Sequence, residues 1–541
     1  MKKIIIYILM FSAALTAAAQ EGTPDLPGSP EEPSIVLPEM FLEIEDLSAE
    51  KLDAVLPPGE ELEVPDTAIP LPELDPMAVS DDTFLIPLPS ITGETGTVTS
   101  GESSFYSTGL IGIGTMNNII GSVSLYKLGD EPRFTFQFSH ESVDGYDFNP
   151  AGTGFFRKTD DLSGWLSLRS GSVQLRGEGS YREDEEGLQQ QAPYYAAALK
   201  QSTGQLSFSI DPVTSPLFFN SNFTVLSGKR MLTSATADTA PVNHREIKIG
   251  GSLVGGADFS SLALHLSTRY SYRFLPGYPD LQSHRVFVET GFDAALRDVV
   301  VFDGNAGFAY TDSLGSLFPF GLSVSLILKD SLVLSVGGGY RVVPQDYTAL
   351  WNDYRLLELQ TTLIDGTEWY GSAGMKIQNR IRSLYLEGLL GFSYREGVIE
   401  LNGYEPQQGA YPFVQRNLTT LFPKVILNYL PGDLFNFSIG WEGVLLERTV
   451  QEDAHRFLWE AGMNSRDGRF GAGFTGWSAL NNWRFELPVL DFSAFFKATE
   501  GVEFILEADD ILSPVQEDGR TTIAPFIAPG FRMTFKTQIS L

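Results

Sequence analysis

The sequence predicts an all-β fold, a transmembrane antiparallel up-and-down β-barrel of about 20–22 strands with a disordered N-terminal arm. Three observations predict it. Apolar and polar residues alternate with a period of two from residue 103 to the C-terminus. The alternating runs last roughly 10–14 residues, longer than the 5–6 of soluble strands and matched to a tilted bilayer crossing of about 9–11. An export signal opens the chain, and no later apolar stretch approaches the 18 residues that a membrane helix needs.

Residues 1–19 read as a signal peptide. Lys2-Lys3 supply a positive n-region, Ile4 to Leu15 an apolar h-region, and Ala17-Ala18-Ala19 a small-residue cleavage site before Gln20. The apolar run is shorter than the ~20 residues of a spanning helix. No cysteine follows it, which argues against a lipid anchor. The expected destination is the bacterial outer membrane.

Residues 20–102 are a different composition. Residues 20–100 hold 13 of the chain's 31 prolines and 19 acidic residues against one base, Lys51. Such a segment buries too little apolar surface to offset its chain entropy, and its charges repel one another. Pro57-Pro58, Pro70-Leu71-Pro72 and Pro87-Leu88-Pro89 favour extended polyproline-like stretches. Met40 to Leu56 could make a short helix or an extended ligand with apolar teeth at Phe41, Leu42, Ile44 and Leu47. The segment is expected to be a largely disordered acidic periplasmic arm, either a spacer or one that folds into the barrel lumen or onto a periplasmic partner.

From residue 103 onward the strands explain themselves by parity. Leu262, Leu264, Leu266, Thr268, Tyr270, Tyr272 and Phe274 alternate with Ala263, His265, Ser267, Arg269, Ser271 and Arg273. Successive strand residues face opposite sides, so one face is apolar and the other polar and basic. Val173 to Arg182, Ser331 to Arg341, Phe435 to Glu442 and Phe531 to Leu541 repeat the separation. Short connections such as Leu128-Gly129-Asp130-Glu131, Leu430-Pro431-Gly432-Asp433 and Ala498-Thr499-Glu500-Gly501 contrast with longer polar ones at 144–160, 183–194, 234–246, 343–366 and 401–415. Short turns on one rim and long loops on the other are the outer-membrane pattern. Residues 103–541 are therefore one barrel in contact with outer-membrane lipid.

The last forty residues resemble the end of a TonB-dependent receptor barrel. Val502 to Ala508 lead into Asp510-Ile511-Leu512, a loop follows, and Ala528-Pro529-Gly530-Phe531-Arg532 opens a closing amphipathic strand. Thr108 to Gly114 and Gly121 to Tyr126 are similar to the first strands of such barrels, so the resemblance covers about 60 residues. It implies import of scarce nutrients, such as metal chelates or glycans, driven by an inner-membrane energy complex. It also implies recognition of the closing strand by the barrel-assembly machinery. The family's globular plug has no room in residues 20–102, so the resemblance is to a barrel lacking that domain. Ser34-Ile35-Val36-Leu37 is the nearest approach to the family's energy-coupling box, and Leu541 stands where a terminal aromatic is usual.

The residues hold little sign of catalysis. The five histidines, at 140, 244, 265, 284 and 455, show no metal-ligand spacing, and no cofactor motif or nucleophile elbow occurs. The protein is expected to be no enzyme and to carry no cofactor. A net charge of −31 disfavours nucleic acid, whose phosphates repel it. Charge on the polar parity gives the lumen-lining candidates: His265, Arg269, Arg273, Arg176, Glu178, Arg182, Arg341, Glu387, Arg395, Glu442, Arg532 and Lys536. They would form a mutually paired wall, a constriction selective for anions, or a docking face for the acidic arm. The expected role is solute passage or ligand reception through a porin-like or receptor-like barrel. The alternative is a non-catalytic structural barrel that presents surface loops. Tyr347 to Tyr354 and Tyr404 to Tyr411 are the expected external contact points.

Overall fold

The computed structural model describes residues 104–541 apart from 130, 147–148, 212–214, 235–240, 260, 297–298, 329–331, 360–362, 379–382, 431–433, 483 and 517–519. The signal segment and the arm at 20–102 lie outside the described residues.

Everything else hangs on one antiparallel sheet of 25 strand segments. Three segments are short continuations of a neighbour, Gly315–Leu317 before Phe320–Leu328, Leu445–Leu446 after Phe435–Gly443, and Arg484–Phe485 before Val489–Thr499. That leaves 22 crossings. Two of the three breaks hold a proline, Pro319 and Pro488, which has no N–H to give the ladder. The upper end of the expected range of 20–22 strands is the observed number.

The first strand, β1 (Ser104–Gly114), pairs with the second, β2 (Ile119–Leu128), and with the last, Arg532–Ser540. At this seam Leu110 sits opposite Gln538, and Ser107 and Leu541 exchange backbone hydrogen bonds of 3.1 and 2.9 Å. The sheet therefore has no edge. In hydrocarbon an unpaired backbone group costs several kcal/mol, and closure removes the whole row of them.

The two rims differ as the sequence leads one to expect. One carries the start of β1, the end of the last strand, and tight turns such as Gly171-Ser172, where Gly171 adopts φ +61. The other carries the segments 145–155, 188–193, 344–365, 402–412 and 510–531. Long loops belong outside the cell, short turns in the periplasm.

Alternate positions carry large apolar side chains into the surroundings. Ile111 and Ile113 are about two-thirds exposed, and Leu264, Leu266, Val336, Phe437 and Phe535 are likewise outward. Such a belt is stable against lipid and unstable against water, at about 25 cal/mol per Å² of apolar surface. Tyr340, Trp369 and Phe320 cluster on adjacent strands with ring centroids 4.8 and 5.8 Å apart, as an interfacial girdle does.

The seam can be tested chemically because the chain has no cysteine of its own. Thr108 faces Ser540 in register. Thr108→Cys combined with Ser540→Cys should cross-link under mild oxidant and keep the compact, heat-modifiable gel mobility of a folded barrel. A variant that folds but never cross-links would contradict the closing register.

Candidate functional site

The extracellular mouth is where loops leave the wall and fold inward. The segment 344–365 starts at the end of the strand Leu332–Val343 and carries the one described α-helix, α1 (Tyr347–Asp353). A seven-residue helix is too short to stand alone in water. Its first free N–H groups are met from the barrel wall. The Glu246 carboxylate accepts the Tyr347 N–H at 2.9 Å and the Thr348 N–H at 2.6 Å, so a strand residue caps a helix that its own N-cap Asp346 does not.

The helix packs by its apolar face. Tyr347 and Trp351 are fully buried, with ring centroids 5.5 Å apart. They join Leu188, Leu199, Leu232, Leu275, Leu281 and Leu357 in one apolar cluster. Thr348 lies directly on Gly228, where a Cβ would fall 2.2 Å from its hydroxyl oxygen. The wall must be bare at that point for the helix to seat.

A single guanidinium ties both ends of the segment down. Arg285, 1% exposed, donates to Asp346 at 2.5 Å and to Asp365 at 2.6 and 3.1 Å. It also donates to the Gln345 carbonyl at 2.6 Å, which Arg273 reaches at 2.5 Å. Lys248 adds a 2.6 Å pair with Asp346, and Ser313 donates to Asp365 at 3.1 Å. Burial alone would raise the Asp346 carboxyl. Arg285 and Lys248 outweigh it and hold that carboxyl below its ordinary value.

Other loops close over the same cluster. Leu357 bridges to Tyr411, whose hydroxyl donates to the Ile523 and Ala524 carbonyls at 3.1 and 2.8 Å. Gln189 and Ile527 exchange two 2.9 Å hydrogen bonds. Arg355 reaches Glu186 at 3.4 Å and Asp184 at 3.9 Å. Segments 188–193, 344–365, 402–412 and 510–531 are thereby knitted into one cap.

This corrects one expectation. Tyr347, Trp351 and Tyr411 are buried side chains of the cap, so the two aromatic loops do not present them as external contacts. Their aromatic content serves the cluster instead.

All twelve sequence-derived lumen candidates stand on the parity opposite the apolar belt, and ten have an oppositely charged neighbour. Arg176 pairs with Glu178 at 3.1 Å, Arg182 with Asp184 at 2.7 Å, and Arg341 with Glu368 at 2.6 Å. Arg273 lies 3.9 Å from Glu246, Glu387 3.9 Å from Lys376, and Glu442 3.8 Å from Arg456. Arg395 meets Glu452 at 3.5 Å, Arg532 meets Glu141 and Asp509 at 2.6 and 2.7 Å, and Lys536 meets Glu507. Of the remaining two, Arg269 sits 6.0 Å from the Phe287 ring and His265 packs over Gly291.

Sequence reasoning passed over Arg285, Glu246, Asp346 and Asp365. A faint signal was present: Arg285 lies on the polar parity of its strand, and two acids bracket one of the two longest connections. Among the described residues no group of three or more His, Asp or Glu could hold a metal ion.

The cap's anchoring makes two predictions. Arg285→Met leaves Asp365 buried without its cation and Asp346 with Lys248 alone, a loss of about 3–5 kcal/mol. Hydrogen exchange across 344–365 should then accelerate by more than about tenfold while the central strand amides stay protected; unchanged exchange would contradict the pin. Because the folded Asp346 carboxyl is held low, its contribution is fully present at neutral pH and lost as pH falls below the ordinary carboxylate range. Any rise in exchange across 344–365 that comes from Asp346 should therefore appear only below the ordinary carboxylate range, after correction for intrinsic rates.

No family model matches the chain, and no curated protein matches it in sequence. Solved structures do match. The copper transporter OprC superposes with a TM-score of 0.65 at 10% identity, over 82% of this chain and 81% of that one. The siderophore receptor PirA from Acinetobacter baumannii gives 0.63 at 10% identity, over 81% of each chain. The FrpB iron transporter from Neisseria meningitidis gives 0.63 at 9% identity, over 82% of each. The fold of this chain is thus the 22-strand barrel of the TonB-dependent receptors of bacterial outer membranes.

Proposed function

We propose that this protein is an outer-membrane barrel that receives a ligand at its extracellular mouth and passes solute inward past the cap. The observation that carries this reading is the closed 22-strand wall with a loop pinned inside its mouth by Arg285, Asp346 and Asp365. A barrel this wide encloses a lumen that something must fill or gate. The cap is built as a separable element, held by a few polar contacts and one apolar cluster. Structural neighbours described as a copper transporter, a siderophore receptor and an iron transporter favour metal or metal-chelate uptake as the ligand class.

The lumen candidates act in this reading mainly as a paired wall. Ion pairs across neighbouring strands, such as Arg341 with Glu368 and Lys536 with Glu507, satisfy charges in a partly enclosed space and stiffen the barrel. Arg269 and His265 are the two left to face solute. Residues 20–102, acidic and proline-rich, serve as the periplasmic arm that contacts a partner there. The chain is not an enzyme in this reading.

The second reading is an anchoring barrel with interaction loops, favoured by how tightly Gln189, Tyr411 and Ile527 sew the mouth together. Planar-bilayer recording separates the two. The chain from Gln20 onward should conduct in small steps or none, and replacing 347–363 with a short Gly-Ser linker should raise the conductance severalfold. Silence in both versions would overturn solute passage and leave the anchor. A version lacking 20–100 that conducts like the full mature chain would exclude the arm from the lumen.

A further inference from the structure

The outer wall carries a second feature, unrelated to the mouth. Lys200, Lys229 and Arg245 stand side by side in the hydrogen-bonding direction on three consecutive strands, Tyr194–Ile210, Leu217–Ser234 and Val242–Phe259. Adjacent strands are about 4.8 Å apart, so the row is roughly 10 Å wide. All three residues share the parity of the exposed apolar residues Leu206, Phe223 and Leu253. They face outward, toward lipid, and not into the lumen. Lys200 has a carboxylate beside it, Glu183 at 2.9 Å. No carboxylate among the described residues pairs with Lys229 or Arg245. Arg245 is exposed, and its Nε donates to Ser227 at 3.0 Å, which leaves the two terminal nitrogens to point elsewhere.

Below this row the same strands hold a groove. A cavity of about 400 Å³ opens on the outer wall between Leu175, Leu206, Phe208, Phe223, Leu253 and Tyr270. Its central row, Leu206, Phe223, Gly251 and Tyr270, is also a register row. It lies six residues from the cations on each strand, about 20 Å along the chain. At a tilt near 45° that is roughly 14 Å along the membrane normal, close to half the ~30 Å hydrocarbon thickness. Between groove and cations the outward residues include Ser202, Gly204 and Ser227. A Cβ at Gly204 would meet nothing within 4 Å, so the wall is bare there. Tyr272 stacks on Phe274 and His284 at 5.4 and 4.5 Å and flanks the path in the register row of Gly204.

We infer that this face binds a phosphorylated lipid of the outer leaflet, its acyl chain in the groove and its phosphate against Lys229, Arg245 and Lys200. The charge selects the lipid: a phosphomonoester headgroup brings up to two negative charges to two cations that have no acidic partner among the described residues, and a zwitterionic headgroup brings none in net. The distance selects it too, since an acyl chain hanging from that row ends in the groove. Scattered outward lysines would lack both the shared register and the hollow beneath.

Native mass spectrometry of the full mature chain in detergent tests this, with bisphosphorylated lipid A, phosphatidylcholine and inorganic phosphate as separate probes. Lipid A should be retained in preference to phosphatidylcholine. Lys229→Gln with Arg245→Gln should weaken that retention about tenfold to thirtyfold, two surface charges being lost. Gly204→Leu, which puts a side chain across the bare stretch between groove and cations without touching the charges, should weaken it as well, with unchanged heat-modifiable mobility showing that the barrel still folds. Equal retention of lipid A and phosphatidylcholine, or full retention by both variants, would overturn the inference. So would inorganic phosphate binding as well as lipid A, since the groove would then contribute nothing.

Discussion

The constraint on which the rest of this structure depends is that backbone N–H and C=O groups have no water to bond within hydrocarbon. A sheet meets that demand only by closing, and here closure rests on β1 and the last strand exchanging hydrogen bonds across Ser107 and Leu541. Once the sheet is closed, its two faces have separate solvents. The period of two in the sequence then sorts every side chain into lipid or lumen. Strand length, turn length and the aromatic girdle follow from bilayer thickness.

Inside that cylinder the mouth obeys different physics. The helix Tyr347–Asp353 exists because Glu246 meets its free amides and because Gly228 leaves room for Thr348. Its loop exists as a loop because Arg285 holds Asp346 and Asp365 together. Remove that guanidinium and Asp365 loses its cation while Asp346 keeps Lys248 alone, so the two ends of the segment are no longer held together.

The barrel was legible in the sequence for a physical reason. Alternation in Leu262 to Phe274 or Phe531 to Leu541 is a local property that lipid enforces on each strand separately. The ion-paired wall was legible only in part. Parity put Arg341 and Lys536 on the polar face, but their partners Glu368 and Glu507 depend on which strands become neighbours. The cap was not legible. Aromatic loops such as Tyr347 to Tyr354 look like exposed binding tips until a residue about a hundred positions away, Glu246 or Lys248, draws them inward. The outward cation row was hidden for the same reason. Lys200, Lys229 and Arg245 are unremarkable singly and meaningful only in register.

The central claim is a barrel that crosses the outer membrane with its loops and cap outside. Single-cysteine labelling on intact cells tests it most directly, with Gln407→Cys in the loop 402–412 and Glu500→Cys in the turn before Val502–Asp509, both exposed. A membrane-impermeant maleimide should label Gln407→Cys on intact cells and Glu500→Cys only after the outer membrane is permeabilised. Labelling of both on intact cells, or of Glu500→Cys alone, would contradict the orientation and with it the account of the mouth.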